Sequence, residues 1–419
     1  MTTRRSLGAN SALAFAGDAA LKLSALGVVI VGARALTVPE FAVLATGLAV
    51  AGVLTMALDF GAGTLITRDG ARSRSARGAL LAGLLAARAP VFVGVLVVAP
   101  LVGALVGRPW TALAIAVLSV AGATALTVLA CYRSSQDIRP EALQRLCAGA
   151  LTIVAVGAMG LFVPSADAML VSLAIIATVT IVPLALRIRM VADLTHGEPQ
   201  GALLRRAAPI GLVTLATVVY YRSGTIALAA VSDERATAAF GVAAGIAFGL
   251  LMLPNAITTA LLPRLAAEAE RRGVVECTRR VLAWTTALAA LVATASAVLV
   301  PSVLPIALGH DYDEARAPFV VLCIGIPFIA ASGVIGTALL SVGQVRVLGL
   351  QVGLSLAVNL LCIAILVPVA GAVGAAFATL ACEVVGLVVL LHVARRALPG
   401  LVLPGRSERS HIAPTAAVP

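Results

Sequence analysis

Charge is scarce in this sequence: only 12% of its 419 residues are Asp, Glu, Lys or Arg, whereas a soluble domain carries roughly 25%. With 61% hydrophobic residues and a mean hydropathy of +1.07, water is excluded as the main solvent. Aromatic residues are thin as well, at 4%. A basic chain that reads nucleic acid interleaves its cations with stacking rings, and this one does not, so its pI near 10.4 needs another explanation. Cys131, Cys147, Cys277, Cys323, Cys362 and Cys382 are scattered without CxxC spacing, which excludes a disulfide framework. His196, His310, His392 and His411 stand far apart with no i,i+4 pair to share an ion, so no metal site is expected. Missing too are a phosphate-cradling glycine loop, a nucleotide motif and a Ser/His/Asp set, so direct ATP use, a cofactor and an enzymatic role are not expected.

What the sequence has is apolar runs of membrane-spanning length. A hydrocarbon core about 30 Å thick needs roughly 20 residues of helix, and helices are favoured because backbone groups facing lipid must bond within their own segment. Breaking the runs at charged or Pro/Gly-rich stretches predicts spans over 11–33, 41–66, 79–106, 110–132, 142–163, 168–190, 208–230, 237–262, 279–307, 317–341, 346–367 and 371–394. The expected fold class is therefore all-α, a polytopic transmembrane bundle of about twelve helices. Thr3-Arg4-Arg5-Ser6 is similar to the start of an export signal, but Asp18 and Lys22 interrupt the apolar run, so the first segment is read as a retained helix.

Arginine placement explains the basic pI. Arg4, Arg5, Arg68, Arg72, Arg74, Arg77, Arg133, Arg139, Arg145, Arg187, Arg189, Arg205 and Arg206 fall on one side of the expected spans, as do the arginines from Arg264 to Arg280, then Arg346 and those after it. Only Arg34, Arg108, Arg235 and Arg316 fall on the other, and Lys22, Arg88 and Arg222 lie within spans. Cationic loops stay in the cytoplasm, so both termini are expected there, in a bacterial cytoplasmic (inner) membrane. Such a rim also favours anionic membrane lipids as partners.

The chain echoes itself at a constant offset of 196 positions: Met56, Asp59 and Arg68 near the end of the second span match Met252, Asn255 and Arg264 near the end of the eighth. Two pseudo-symmetric six-helix halves are expected, 1–206 and 207–396, followed by a flexible cytoplasmic tail over 397–419. Transporters built from repeats place their substrate between them.

Particular stretches resemble a known family. Gly32-Ala33-Arg34-Ala35-Leu36 with Glu40-Phe41, Leu58-Asp59-Phe60-Gly61-Ala62-Gly63 with Arg68, the run from Asn255 to Pro263-Arg264, Val358-Asn359-Leu360, Val367-Pro368-Val369 and Gly371 to Thr379 are similar to bacterial O-antigen and polysaccharide flippases. The wider group is the multidrug/oligosaccharidyl-lipid/polysaccharide exporter superfamily. The resemblance implies transport of cell-surface polysaccharide precursors, lipopolysaccharide O-antigen among them, linked to polyprenyl pyrophosphate, with polysaccharide assembly proteins as further partners. In that family the stretch around Arg222 often reads Arg-x-Asp, but Gly224 stands where the acid would be, which weakens ion coupling there.

Ionisable residues inside spans carry the mechanistic reading, because a charge at the membrane centre costs from about 3 to over 10 kcal/mol unless it faces protein or water. Arg222 is a candidate phosphate-binding cation, since a guanidinium donates two parallel hydrogen bonds and keeps its charge, and the competing reading is an outward-snorkelling or structural arginine. Arg88 is expected either to snorkel or to join Arg222 in a central cavity, and Lys22 either to bind substrate or to neutralise Asp18 one helical turn away. Asp18, Asp59, Glu383, Asn255 and Asn359 are candidates for coupling or gating. For Asp59 the competing reading is packing or capping, for Glu383 protonation by burial or pairing with a cation, and for Asn359 a hydrogen bond to a neighbouring helix.

Two other functions remain open. A cation-coupled multidrug extruder of the same superfamily would favour deep carboxylates, and the deep set of Lys22, Arg88 and Arg222 is balanced by Asp18, Asp59 and Glu383. A membrane glycosyltransferase or polymerase would need paired carboxylates in an outer loop. Asp311-Tyr312-Asp313-Glu314 is the one such loop, and it reads more simply as a solvated acidic rim.

Overall fold

The computed structural model describes residues 2–135, 137–193, 200–267 and 271–401, and among these it holds α1 (Thr2–Ala35), α2 (Val38–Asp59), α3 (Ala62–Asp69), α4 (Arg74–Leu105), α5 (Pro109–Ser134), α6 (Arg139–Phe162) and α7 (Ala166–Leu186). Then come α8 (Gln200–Val231), α9 (Glu234–Gly249), α10 (Met252–Ala267), α11 (Arg271–Leu308), α12 (Arg316–Ser341) and α13 (Val345–Ala397). The only other regular elements among the described residues are short 3-10 segments, so the polytopic helical bundle stands. His196, His411 and most of the expected tail lie outside the described residues.

Local sequence sets where the helices start. Thr37, Ser73, Ser165 and Asp233 each accept a hydrogen bond from the backbone N–H three residues on, and Pro39, Pro109 and Pro140 occupy first turns where their missing N–H costs nothing. Among the described residues, ten helical segments are long and apolar enough to cross a membrane. Counting α9 with α10 as one crossing and the two legs of α13 as two reconciles that number with the expectation of about twelve. The legs meet at Gly371, whose φ of 51° and ψ of −128° suit glycine alone, and a Cβ on Gly374 would overlap the Leu366 carbonyl oxygen. That bend falls where the sequence divides its last two spans.

Two expected spans, 41–66 and 237–262, are not continuous. The first breaks at Phe60 and Gly61, both left-handed, dividing α2 from α3, and the second breaks at Leu250–Leu251, dividing α9 from α10. At the first break the backbone of α8 comes close: a Cβ on Gly61 would lie 2.7 Å from the Gly211 nitrogen, and one on Gly211 2.5 Å from the Phe60 oxygen. Periodicity cannot register such a break, because the apolar run passes through it.

Lipid is as apolar as leucine, so helices associate through close packing rather than through water exclusion. Glycine and alanine accordingly mediate the approach of α1 to α6, where a Cβ on Gly149 would lie 2.8 Å from the Ala20 carbonyl oxygen. α2 packs against α5, α8 and α9, and α13 against α8 and α12. The arginine-rich segments gather at one end. There Arg74 pairs with Asp193 at 2.8 Å, Arg133 with Glu141 at 2.8 Å, and Asp69 with Arg68 at 2.8 Å and Arg206 at 2.5 Å. Hydrogen bonding from Arg68 first, then from Arg206, holds the Asp69 carboxyl down to about 2. At 310–315 the acidic stretch is anchored by Tyr312, which is buried edge-on against Phe41 at 5.7 Å, while Asp313 pairs with Arg316 at 2.7 Å.

Candidate functional site

A cavity of about 490 Å³ opens among α1, α2, α5, α6, α7, α8 and α9. A single water needs only roughly 10–15 Å³ of such space, so a polar occupant larger than water fits. Its wall is mostly apolar and contains two cations, Lys22 from α1 and Arg222 from α8, and no carboxylate. Neither cation has an ion pair or hydrogen bond among the described residues. Arg222 is exposed although it lies far from both ends of α8, because it faces this opening. Gly52 of α2 makes room for it, since a Cβ there would already touch Nε at 3.5 Å.

The structure does not bring Arg88 to this cavity. Its guanidinium stands 3.7 Å from the Asp59 carboxylate, donates to the Thr127 hydroxyl at 2.9 Å and to the Leu58 carbonyl at 3.3 Å, and lies over the Phe92 ring. Asp59 accepts the Gly63 N–H at 3.1 Å. The break after Asp59 leaves the last carbonyls of α2 and the first N–H groups of α3 without helical partners, and an unsatisfied group in hydrocarbon costs several kcal/mol. Arg88 and Asp59 fill those vacancies, so neither the snorkelling nor the cavity position expected for Arg88 is found, and Asp59 is a cap.

The expected pairing of Lys22 with Asp18 is also replaced. Asp18 pairs with Arg145 of α6, which in turn holds Glu141 at 2.6 Å, and that leaves the Lys22 charge unneutralised. A helix-surface i,i+4 pair is worth only about 0.2–0.5 kcal/mol, so a cation on the facing helix displaces it easily.

Two of the remaining candidates, Glu383 and Asn359, lie against another face of α8. Glu383 of α13 is buried with no cation against it among the described residues, and it accepts a hydrogen bond from the Tyr220 hydroxyl at 3.1 Å. Asn359 accepts from Ser223 at 2.6 Å and donates to the Cys382 sulfur at 3.8 Å, so it joins α8 to both legs of α13. Asn255 of α10 is exposed. One turn of α8 thus sends Arg222 into the cavity and Tyr220 and Ser223 into the α13 network. Tyr221 packs edge-on against Phe248, a cavity-wall residue, at 5.2 Å, and lies 4.1 Å from the Tyr220 ring.

A family model described as polysaccharide biosynthesis protein matches residues 7–267. The chain belongs to the polysaccharide biosynthesis protein family. The family match covers the cavity-lining helices α1, α2 and α5 to α9, together with Lys22 and Arg222. No curated protein sequence matches this family member. Among solved structures it is similar to the lipid II flippase MurJ in an inward closed conformation, with a TM-score of 0.73, 10% identity and coverage of 90% of this chain and 86% of that one. It is similar as well to the MATE multidrug transporter DinF-BH, at TM-score 0.69, 15% identity and coverage of 96% and 97%. A third is a MOP superfamily transporter from Pyrococcus furiosus, described by the reverse polarity of its binding pocket, at TM-score 0.62, 15% identity and coverage of 94% and 95%. At these identities the likeness establishes a shared fold.

Sequence reasoning singled out Lys22 and Arg222 but missed Gly52, one of 38 glycines, and the pair of Gln144 and Thr180, whose side chains meet at 3.2 Å in the cavity wall. Gln144 follows the charged start of its span and reads as an interfacial residue. A one-dimensional pattern carries no sign that it faces inward.

Proposed function

We propose that this member of the polysaccharide biosynthesis family is a flippase for a polyprenyl-pyrophosphate-linked oligosaccharide, moving cell-surface polysaccharide precursors, O-antigen units of lipopolysaccharide among them, across the bacterial cytoplasmic membrane. The observation that carries this reading is a cavity whose described wall holds no acid and two cations, neither of them paired among the described residues. A passage built for cationic drugs needs the opposite sign, because a cation brought beside Lys22 and Arg222 is repelled in a medium of low dielectric. A pyrophosphate meets both charges and takes the bidentate donors of Arg222.

The glycan occupies the aqueous cavity while the prenyl chain stays on the lipid side of its wall. The parts of the chain before and after about residue 206 rock against each other, exposing the cavity alternately to each side, with both termini cytoplasmic. Assignment of Lys22 and Arg222 as substrate ligands follows from their place in the wall. Of the coupling candidates, Asp18 and Asp59 are occupied by Arg145 and Arg88, which leaves Glu383 as the group whose protonation state links α13 to the Arg222 helix.

The test is translocation of a fluorescent polyprenyl-pyrophosphate sugar in proteoliposomes, comparing the unaltered protein with Arg222→Ala and Lys22→Gln. At least a tenfold loss is expected for Arg222→Ala, with unchanged thermal stability. Movement of cationic dyes with no movement of the lipid would establish an extruder instead.

A further inference from the structure

A second opening of about 860 Å³ lies beside the first, between α6 and α7 at the arginine-rich end. Its bed is apolar and faces outward: Leu143, Cys147 and Leu151 come from α6, and Val179 and Pro183 from α7. Its rim carries Arg139 and the exposed Arg187, together with Asp137, whose carboxylate accepts the backbone N–H of Arg139 at 3.3 Å. Gln144 and Thr180 line both openings, and the bond from the Gln144 amide to the Thr180 hydroxyl at 3.2 Å is the partition between them.

We propose that this groove is the seat of the prenyl chain of the lipid-linked substrate, and that the Gln144–Thr180 partition is the doorway through which its headgroup passes sideways into the cavity. The proposal rests on the flippase reading. Four further points support it separately. An apolar channel whose end carries Arg139 and Arg187 against one acid, Asp137, is net positive there and matches an amphiphile with an anionic head and a long aliphatic tail. The groove shares one wall, Gln144 and Thr180, with the cavity that holds Lys22 and Arg222. A single neutral side-chain hydrogen bond exchanged for one to water or substrate changes the net free energy little, so the doorway opens readily. A polar pair at this place is otherwise costly in an apolar wall, and it gives the passing pyrophosphate and sugar hydroxyls one donor amide and one hydroxyl to exchange with.

The experiment uses the full chain in vesicles of phosphatidylethanolamine and phosphatidylglycerol, with a polyprenyl-pyrophosphate sugar carrying a benzophenone on its prenyl chain. Cross-links are expected on residues 143–151 and 179–191. Cys147→Trp and Leu151→Trp, each filling the groove from an exposed position, are expected to slow translocation at least tenfold while thermal stability stays unchanged. Ile175→Trp, exposed on α7 outside the groove, is expected to leave the rate as it was. Translocation by the unaltered protein with cross-links confined to other helices would overturn the groove and leave the headgroup reading intact. So would a signal abolished by excess phosphatidylglycerol at an unchanged translocation rate, because the groove would then hold bulk lipid. No translocation of the lipid by the unaltered protein would sink the flippase reading and the groove with it.

Discussion

Arg88 lies 3.7 Å from Asp59 across the gap between α4 and the end of α2. That relationship removes from the transport path one of the three cations that the sequence places inside the membrane, and assigns it to holding a broken helix together.

Arg88→Met is therefore expected to act on folding and not on substrate affinity. Losing one partner of a buried pair costs about 3–5 kcal/mol, read as a lower unfolding temperature of the purified protein in detergent. Adding Asp59→Leu restores only part of the loss, because the Leu58 carbonyl and the Gly63 N–H still lack partners. Full recovery in the double variant would mean that the charges matter and the cap does not.

Gly52 is a test of the cavity geometry. Gly52→Ala places a methyl group at ordinary contact distance from Arg222 and is expected to be tolerated. Gly52→Leu pushes the guanidinium aside and reduces lipid translocation at least tenfold, with unfolding temperature kept. Equal transport by both variants would show that the Arg222 position is not tied to function.

The Asp69 carboxyl, lowered to about 2 by its arginines, links stability to acidity. Its folded value lies below the ordinary value of 3.8, so it stabilises the protein fully above about pH 4, and the contribution is lost as pH falls through about 2. Asp69→Asn is expected to lower stability by an amount that is constant from pH 5 to 7 and shrinks toward zero as pH approaches 2. A difference independent of pH would assign the effect to packing.

Gly371→Ala places a side chain on a backbone conformation reserved for glycine, at a cost of about 1–3 kcal/mol. Thermal unfolding should register it, and a neutral result would mean that the two legs of α13 meet at a different angle in the folded protein.

Glu383→Gln keeps an acceptor for Tyr220 and should fold normally. What it should lose is the response of translocation to an imposed pH gradient, measured in proteoliposomes. A gradient response that survives the change removes Glu383 from coupling.

The spans were legible from the sequence because each is a long apolar run bounded by arginine, proline or a capping residue, and 346–367 and 371–394 even mark the bend at Gly371. The breaks inside 41–66 and 237–262 were not, since backbone reversal within an apolar run leaves hydropathy unchanged. Lys22 and Arg222 were recoverable because an isolated charge in an apolar run has few tolerable surroundings. Their separation from Arg88 depended on partners on distant helices. Thr127 and Leu58 decide where Arg88 goes, and Arg145 decides what is left for Lys22.

Arg145 does not line the cavity, yet it controls how positive the passage is. Asp18 stands one turn from Lys22 on the same helix face, and only the grip of Arg145 turns that carboxylate away. Once released by Arg145→Leu, Asp18 would swing to the lysine and cancel its field. A residue behind the wall thus sets which sign of solute the interior welcomes.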